Sequence, residues 1–293
     1  MIYLVDASVY IFRAYYSVPD SMTDKDGNPV NALYGYARFL GDLLETAKPR
    51  LAAVAFDESL NTSFRNDIYP EYKANRDLPP ADLERQLASC RQLTEAMGLA
   101  SFSSERFEAD DIIGTLAVRM RERGVPSTIV TRDKDLAQLL KQGDQFWDFA
   151  GRKRYGYDEV RDQFGARPEQ IADFLALAGD SVDNIPGVPG VGKKTAEALF
   201  DHFDSLDELY ANLDRVVDVP VRGSGKLGSK LEIHRKIAML SRQLTGIATD
   251  VPLDADNLEP SAPDFDALNA IYDGMGMGQT LRNQAQRIAE LYG

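Results

Sequence analysis

The chain has 293 residues, 44% of them hydrophobic and 27% charged, the balance of a globular protein with a sizeable core in one or two domains. One cysteine, Cys90, excludes an internal disulfide; no basic leader precedes Asp6, and no apolar run approaches the ~20 residues of a membrane span, so a cytoplasmic protein is expected. A formal charge of −13 weakens a nucleic-acid role without excluding it, because local field rather than net charge steers a polyanion.

Apolar strand-like runs alternate with helical patterns through the first 150 residues. The expected order is a strand at 2–6, a helix at 33–46, a strand at 51–57 and helices through 82–97. A short strand near 99–103, a helix at 109–123, a strand at 127–131, a helix at 135–141 and a strand at 145–149 follow. This alternation predicts an α/β fold with a mostly parallel central sheet covered by helices. In the helix at 109–123, Ile112, Ile113, Leu116, Ala117 and Met120 share one side, as a helical period requires. From about 158 the chain turns to helices and Gly/Pro turns, with helix starts near Asp158, Pro168 and Leu206. A flexible loop is expected over 220–230, rich in Gly and Lys.

Nine acids fall in short, separated clusters: Asp6, Asp57, Glu108 with Asp110 and Asp111, Asp133 with Asp135, and Asp180 with Asp183. Asp6, Asp57 and Asp133 each follow a run that reads as a buried strand, and open parallel sheets bind ligands at the carboxyl ends of their strands. Carboxylates crowded there need cations, and oxygen donors suit Mg²⁺ or Mn²⁺. Each cluster alone has a plainer explanation, since acids favour a helix N-terminus and Asp-x-Asp is a common loop pattern. Together they exceed what capping needs and favour a two-metal site, where ions ~3.5–4 Å apart stabilise the attacking and leaving oxygens of an in-line displacement. Nine acids exceed the direct ligands of two ions, so some act through water. Without them 37 acids face 33 bases and the charge falls to −4. The bases also cluster: Arg222, Lys226, Lys230, Arg235, Lys236 and Arg242 stand against Glu232 alone. Between Arg242 and Arg282 there is no Lys or Arg at all.

Two further segments carry chemistry. In Ile185-Pro186-Gly187-Val188-Pro189-Gly190-Val191-Gly192-Lys193-Lys194-Thr195, glycines bracketed by prolines read as a tight hairpin opening a helix. The free N–H groups at that helix start can bind a phosphate, although a plain helix–turn–helix connector is the alternative. A Walker A loop is excluded, because it needs Ser or Thr at 194. From Tyr69 to Arg76, tyrosines alternate with Lys73 and Arg76, and Arg65 stands just before. This suits stacking on bases and pairing with the phosphates of a single strand, or it is a solvated loop. An aspartyl phosphatase of the HAD type would need an acid two residues after Asp6, where Ser8 stands.

Taken in order, Leu4-Val5-Asp6-Ala7-Ser8, Ala55-Phe56-Asp57, Tyr72-Lys73-Ala74-Asn75-Arg76 and Glu108-Ala109-Asp110-Asp111 resemble motifs of the 5′ nuclease family, the 5′→3′ exonucleases and flap endonucleases. Asp133-Lys134-Asp135, Gly179-Asp180-Ser181-Val182-Asp183-Asn184 and the hairpin up to Thr195 continue the series. The likeness is strongest to the N-terminal nuclease domain of bacterial DNA polymerase I and covers roughly residues 1–250; with no polymerase following, a free-standing exonuclease is expected. It implies a PIN-like domain at 1–160 with a helical arch at about 70–98, and a helical DNA-binding region at 161–293 with a helix–hairpin–helix variant at about 175–200. It places all nine acids at the metals; our own expectation for their division is Asp6, Asp57, Glu108, Asp110 and Asp111 nearer one ion and Asp133, Asp135, Asp180 and Asp183 nearer the other. Lys73 and Arg76 match catalytic cations beside the scissile phosphate, and Tyr72 a stacking residue. Gly190, Gly192, Lys193, Lys194 and Thr195 are the other implied DNA contacts, and Arg13, close to Asp6 in sequence, is a further expected one. The carbonyls of Leu177, Ala178, Pro186, Val188 and Val191 are the implied seat of a monovalent ion, K⁺. Arg132 departs from the pattern, since relatives usually carry a small or neutral residue before Asp-Lys-Asp.

The expectation is a monomeric Mg²⁺- or Mn²⁺-dependent 5′→3′ exonuclease and 5′-flap endonuclease. It would act on DNA with 5′ ends, flaps or single-strand/duplex junctions, with a separate DNA polymerase as candidate partner. A relative acting on RNA or hybrids and a non-catalytic branched-DNA binder are the alternatives. Retention of all nine acids speaks against the second.

Overall fold

Six strands form one sheet in the computed structural model, which describes residues 1–58, 62–276 and 278–293. They are β1 (Ile2–Asp6), β2 (Ala52–Asp57), β3 (Ala100–Ser104), β4 (Ser127–Val130), β5 (Gln145–Asp148) and β6 (Lys153–Gly156), in the order β3-β2-β1-β4-β5-β6. The first five are parallel and β6 returns antiparallel to β5. The helices are α1 (Ala7–Ser17), α2 (Asn31–Ala47), α3 (Phe64–Ile68), α4 (Ala81–Ala96), α5 (Ala109–Glu122), α6 (Val160–Phe164) and α7 (Ile171–Ala178). Then come α8 (Lys193–Phe200), α9 (Leu206–Ala211), α10 (Ser224–Ile233), α11 (Arg235–Thr245), α12 (Phe265–Gly274) and α13 (Gln279–Tyr292).

Strand alternation divides the core into two layers. Ile2, Leu4, Ala53, Ala55 and Ile129 join Ile112, Ile113 and Leu116 of α5 on one face. Val5, Val54, Phe56 and Val130 join α1, α2 and α4 on the other. β1 lies between β2 and β4, so the strand order reverses there and a crevice opens at its carboxyl end. The register pairs Asp6 with Ala55 and Val5 with Val130, so Asp57 and the residues after β4 surround Asp6.

Packing explains each departure from the sequence reading. The helix expected at 135–141 is a short 3₁₀ turn, Lys134–Leu139, capped by Asp133 and buried through Leu136 and Leu139. The loop expected at 220–230 is largely α10, because Leu227 and Leu231, one turn apart, are both buried. Gly228 lets that helix close on the Leu213 carbonyl oxygen, which a Cβ would meet at 2.7 Å. The sequence reading missed α1, N-capped by Asp6, and the return strand β6. Within the expected arch at about 70–98, Leu83, Cys90 and Leu93 of α4 are fully buried, and Tyr72, Lys73 and Arg76 line the cavity described below. After β6 the described elements are all helical, as expected for the C-terminal part. α12 and α13 return to the α/β half, burying Leu268, Tyr272, Leu281, Ala285 and Ile288 with α2 and α4. Ala52 N–H donates to the Leu258 carbonyl at 2.8 Å in the same return. Among the described residues no helix is long and apolar enough to cross a membrane.

Candidate active site

A cavity of about 360 Å³ opens at the carboxyl ends of β1, β2 and β4. Its wall carries Asp6, Asp57, Glu108, Asp110, Asp133, Asp135 and Asp183, with the cations Arg65, Lys73, Arg76 and Arg132. Seven of the nine expected acids therefore meet there. Asp6 accepts from Val9 N–H at 3.4 Å and from the Thr131 hydroxyl at 2.8 Å, so it caps α1 while β4 orients it. Asp57 accepts from Ala109 N–H at 2.8 Å, joining the end of β2 to the start of α5. Asp133 accepts from Asp135 N–H at 3.0 Å and fixes the turn that presents both.

The acids strain against their surroundings. Burial, with repulsion from Asp57, pushes the Asp6 carboxyl up to about 7. Burial and the neighbouring Asp133 do the same to Asp135, at about 7. Asp110 and Asp133 are also raised, burial being the first cause in each. Glu108 behaves differently: burial acts to raise it, but the charges of Lys73 and Arg65 hold it below the ordinary glutamate value. Its Oε2 accepts from Lys73 Nζ at 2.7 Å and Tyr72 Oη at 3.2 Å. Its Oε1, and Oδ1 of Asp135, are buried without a hydrogen-bond partner. Buried acceptors left bare are costly, and carboxylates forced toward protonation in one cavity are relieved by a bound cation. Among the described residues no three His, Cys, Asp or Glu side chains already close into a metal cage. Mg²⁺ keeps several of its waters when bound, so an open set of carboxylates with free oxygens fits it.

Asp111, expected at a metal, is absent from the cavity wall. Arg65 grips both its oxygens at 2.8 Å, and it also accepts from Ala248 N–H at 2.8 Å and Glu108 N–H at 3.1 Å. Arg65 donates further to the Leu244 and Gly246 carbonyls at 2.9 and 2.8 Å. Read from sequence as a phosphate-pairing cation, it is instead a buried brace joining α3, α5 and the turn after α11. Asp180 also stands outside: it accepts from Val182 N–H at 2.8 Å and lies 3.5 Å from Lys134 Nζ, in a groove adjoining Asp133 and Asp135. Tyr72, expected to stack on a base, is 3% exposed and packs with Ile185 and Leu244, so its ring face is covered. Arg13 is exposed on α1 and does not line the cavity.

The segment carrying Lys73 and Arg76 is stitched to the loop after α7. Lys73 N–H donates to the Asp183 carbonyl at 3.0 Å, Asn184 Nδ2 to the Glu71 carbonyl at 2.7 Å and Asn75 Nδ2 to the Ser181 carbonyl at 2.9 Å. Lys73 takes a left-handed φ of 56°, a conformation that costs a lysine about 1–2 kcal/mol and persists only where cross-links over-determine it. The Arg76 guanidinium pairs with Asp183, and Lys73 Nζ stands 3.9 Å from the same carboxylate. The sequence reading missed Thr131, Asn75 and Asn184; the hydroxyl one residue beyond β4, level with Asp6, was the available signal.

The hairpin between α7 and α8 closes through Val188 N–H to the Leu177 carbonyl at 2.8 Å and Val191 N–H to the Val188 carbonyl at 2.9 Å. A Cβ on Gly187 would lie 2.4 Å from the Gly179 nitrogen, so the two limbs touch backbone to backbone. Ala178, Pro186 and Lys193 line a groove beside it. Gly190, Gly192, Lys193 and Lys194 are exposed, Thr195 is half-buried, and Lys230 of α10 reaches over Gly190.

Residues 1–165 match the family model of the 5′-3′ exonuclease N-terminal resolvase-like domain, and residues 166–266 that of the 5′-3′ exonuclease C-terminal SAM fold. The chain is 43% identical over 272 residues to DNA polymerase I of Pseudomonas aeruginosa, covering 92% of this chain and 30% of that protein. It is 33% identical over 258 residues to a 5′-3′ exonuclease of Buchnera aphidicola (subspecies Schizaphis graminum), covering 88% of this chain and 90% of that one. It thus spans about a third of the length of the polymerase relatives. Among solved structures, T5 5′-exonuclease with bound zinc shares the fold at TM-score 0.68 and 19% identity, over 99% of this chain and 98% of that chain. The catalytic core of Rad2 with DNA substrate does so at TM-score 0.65 and 15% identity, over 97% and 91% respectively. Both halves of the chain, the acid-lined sheet edge and the hairpin-bearing helices, carry the same assignment: the protein belongs to the 5′-3′ exonuclease family.

Proposed function

We propose that the chain is a divalent-cation-dependent 5′→3′ exonuclease and structure-specific 5′-flap endonuclease that hydrolyses DNA phosphodiester bonds. The observation that carries this reading is the cavity itself, seven carboxylates beside Lys73 and Arg76, with two buried carboxylate oxygens lacking donors. Asp6, Asp57, Glu108, Asp110, Asp133, Asp135 and Asp183, with Asp180 acting through water, would hold two or more Mg²⁺ or Mn²⁺ ions, which would supply neutralisation of the phosphodiester charge and activation of the attacking water. Asp111 is left out of that set because Arg65 occupies it.

Lys73 and Arg76 do the chain's own part at the phosphate. Burial alone would lower the Lys73 ammonium, but Glu108 outweighs it and keeps the group protonated. In the free protein both cations rest on acids, Glu108 and Asp183. With substrate they exchange those partners for phosphoryl oxygens, where one well-placed donor is worth about 10²–10³ in rate. Duplex flanking the cut is gripped by the N–H groups of Gly192, Lys193 and Lys194 at the start of α8, with the lysine charges beside them. K⁺ on the carbonyls of Leu177, Ala178, Pro186, Val188 and Val191 would add positive charge to that grip. The protein acts as a monomer, and a DNA polymerase that generates 5′ flaps is the proposed partner.

The test is cleavage with Mg²⁺ of a 5′-flap duplex beside nicked, blunt and single-stranded DNA and an RNA-flap counterpart. Fastest cleavage of the DNA flap, with short 5′ products, is expected. Cleavage of the RNA flap alone would move the substrate class to RNA. Tight binding of every branched substrate without cleavage would overturn the enzyme reading.

A further inference from the structure

Three of the four cations on the cavity wall are neutralised by acids placed to hold them: Arg65 by Asp111, Lys73 by Glu108 and Arg76 by Asp183. Arg132 is not. Its backbone is fixed from both sides, since Thr131 orients Asp6 and receives Asp133 N–H at 2.9 Å, while Asp133 caps the next turn. Its side chain is 49% exposed, and its ion-pair partner is Asp148 at 3.5 Å, beyond the usual N–H···O range. Asp148 lies outside the acid cluster and already accepts from Gly151 N–H at 2.7 Å, so it is not left bare when the guanidinium moves away. At that distance, with the guanidinium half-exposed and Asp148 14% exposed, the pair lacks a close hydrogen bond to hold it.

The place of Arg132 gives its charge a use. Lys73 stands at the Glu108 wall, whereas Arg132 and Arg76 line both the cavity and the adjoining groove of about 540 Å³ that runs past Asp133, Asp135 and Asp180. Arg76 rests on Asp183, and Lys134 in the groove lies between Asp135 and Asp180, which leaves Arg132, among the described residues, as the cation there not held by the acid cluster. A polyanionic strand following that groove meets acids on its way, and a local cation is what makes such a path passable. Guanidinium matches phosphate in geometry as well as charge. We propose that Arg132 leaves Asp148 to bind a phosphate of the substrate strand flanking the one cleaved, a contact that positions the strand. The inference rests on the nuclease reading and adds to it a second phosphate subsite, where the cavity meets the adjoining groove.

The experiment measures KM and kcat for 5′-flap DNA with Mg²⁺, over a series of salt concentrations, in wild type, Arg132→Ala, Arg132→Lys and Asp148→Asn, with thermal unfolding of each. Arg132→Ala should raise KM about tenfold with kcat changed far less. The slope of log(kcat/KM) against log salt should shrink by about 0.7–0.9, one phosphate contact. Arg132→Lys should restore the slope and part of KM, and Asp148→Asn should keep KM at or below wild type. Arg132→Ala with wild-type KM and slope overturns the inference. So does Asp148→Asn reproducing the KM rise together with an equal loss of Tm, since the pair would then be structural. If wild type itself leaves the flap uncut, it is the nuclease reading that fails.

Discussion

Replacing Asp111 by Ala removes a carboxylate that accepts from both Arg65 Nη atoms and from the N–H groups of Ala248 and Glu108. The guanidinium, buried to all but 3%, would keep two carbonyls and a carboxylate of Glu108 3.9 Å away. Breaking a buried pair from one side costs about 3–5 kcal/mol, which for a chain of this size lowers Tm by about 10 °C. Asp110→Ala should do the opposite. It removes a carboxyl that burial and its neighbours drive toward protonation, so the metal-free protein should unfold at the wild-type temperature or above it. Calorimetry of both variants in EDTA makes the comparison at adjacent positions, and Asp110→Ala should lose cleavage while gaining or keeping stability. An Asp111→Ala Tm within about 2 °C of wild type, or an Asp110→Ala fall as deep as that of Asp111→Ala, would refute the reasoning.

Asp6 and Asp135, about 7 in the folded chain against an ordinary 3.8, bind protons more tightly folded than unfolded, so their stabilising share is full below 3.8 and lost as pH passes 7. In EDTA, wild-type stability should therefore fall relative to an Asp6→Asn/Asp135→Asn double variant between about pH 4 and 7; parallel pH profiles would contradict this. Lys73→Ala should lower kcat about 10²–10³-fold while duplex affinity holds, and an unchanged kcat would remove Lys73 from the chemistry. Gly187→Ala drives a Cβ to 2.4 Å from the Gly179 nitrogen, so duplex Kd should rise at least about tenfold with helix content retained. Wild-type affinity in that variant would show that the hairpin is not the grip.

The sheet edge was legible because strands end in acids and the strand period is short: Asp6, Asp57 and Asp133 fall at or beyond three neighbouring strand ends, where the sequence reading set them. Asp110 and Asp111 were not separable. Successive helix positions point about 100° apart, and what fills the second direction is Arg65, 46 positions earlier. Tyr72 read as exposed because charges surround it, yet Glu108, 36 positions on, takes its hydroxyl. The return of α13 to α2 was equally hidden, since Gln284 meets Asp42 across 242 positions and no local pattern records it. In α10 two buried leucines outweighed the helix-breaking tendency of Gly225 and Gly228. Except in α10, where the i,i+4 leucines are a local signal, partners distant in sequence decided these cases.

The claim that the gathered acids drive 5′ cleavage through divalent cations is tested most directly by single-turnover cleavage of a 5′-flap duplex in EDTA, then with Mg²⁺ restored, by wild type and Asp133→Asn. Expected are no cleavage in EDTA, recovery with Mg²⁺ for wild type, and none for Asp133→Asn although it still binds the duplex through the hairpin. Cleavage that survives EDTA, or a wild-type rate from Asp133→Asn, would contradict it.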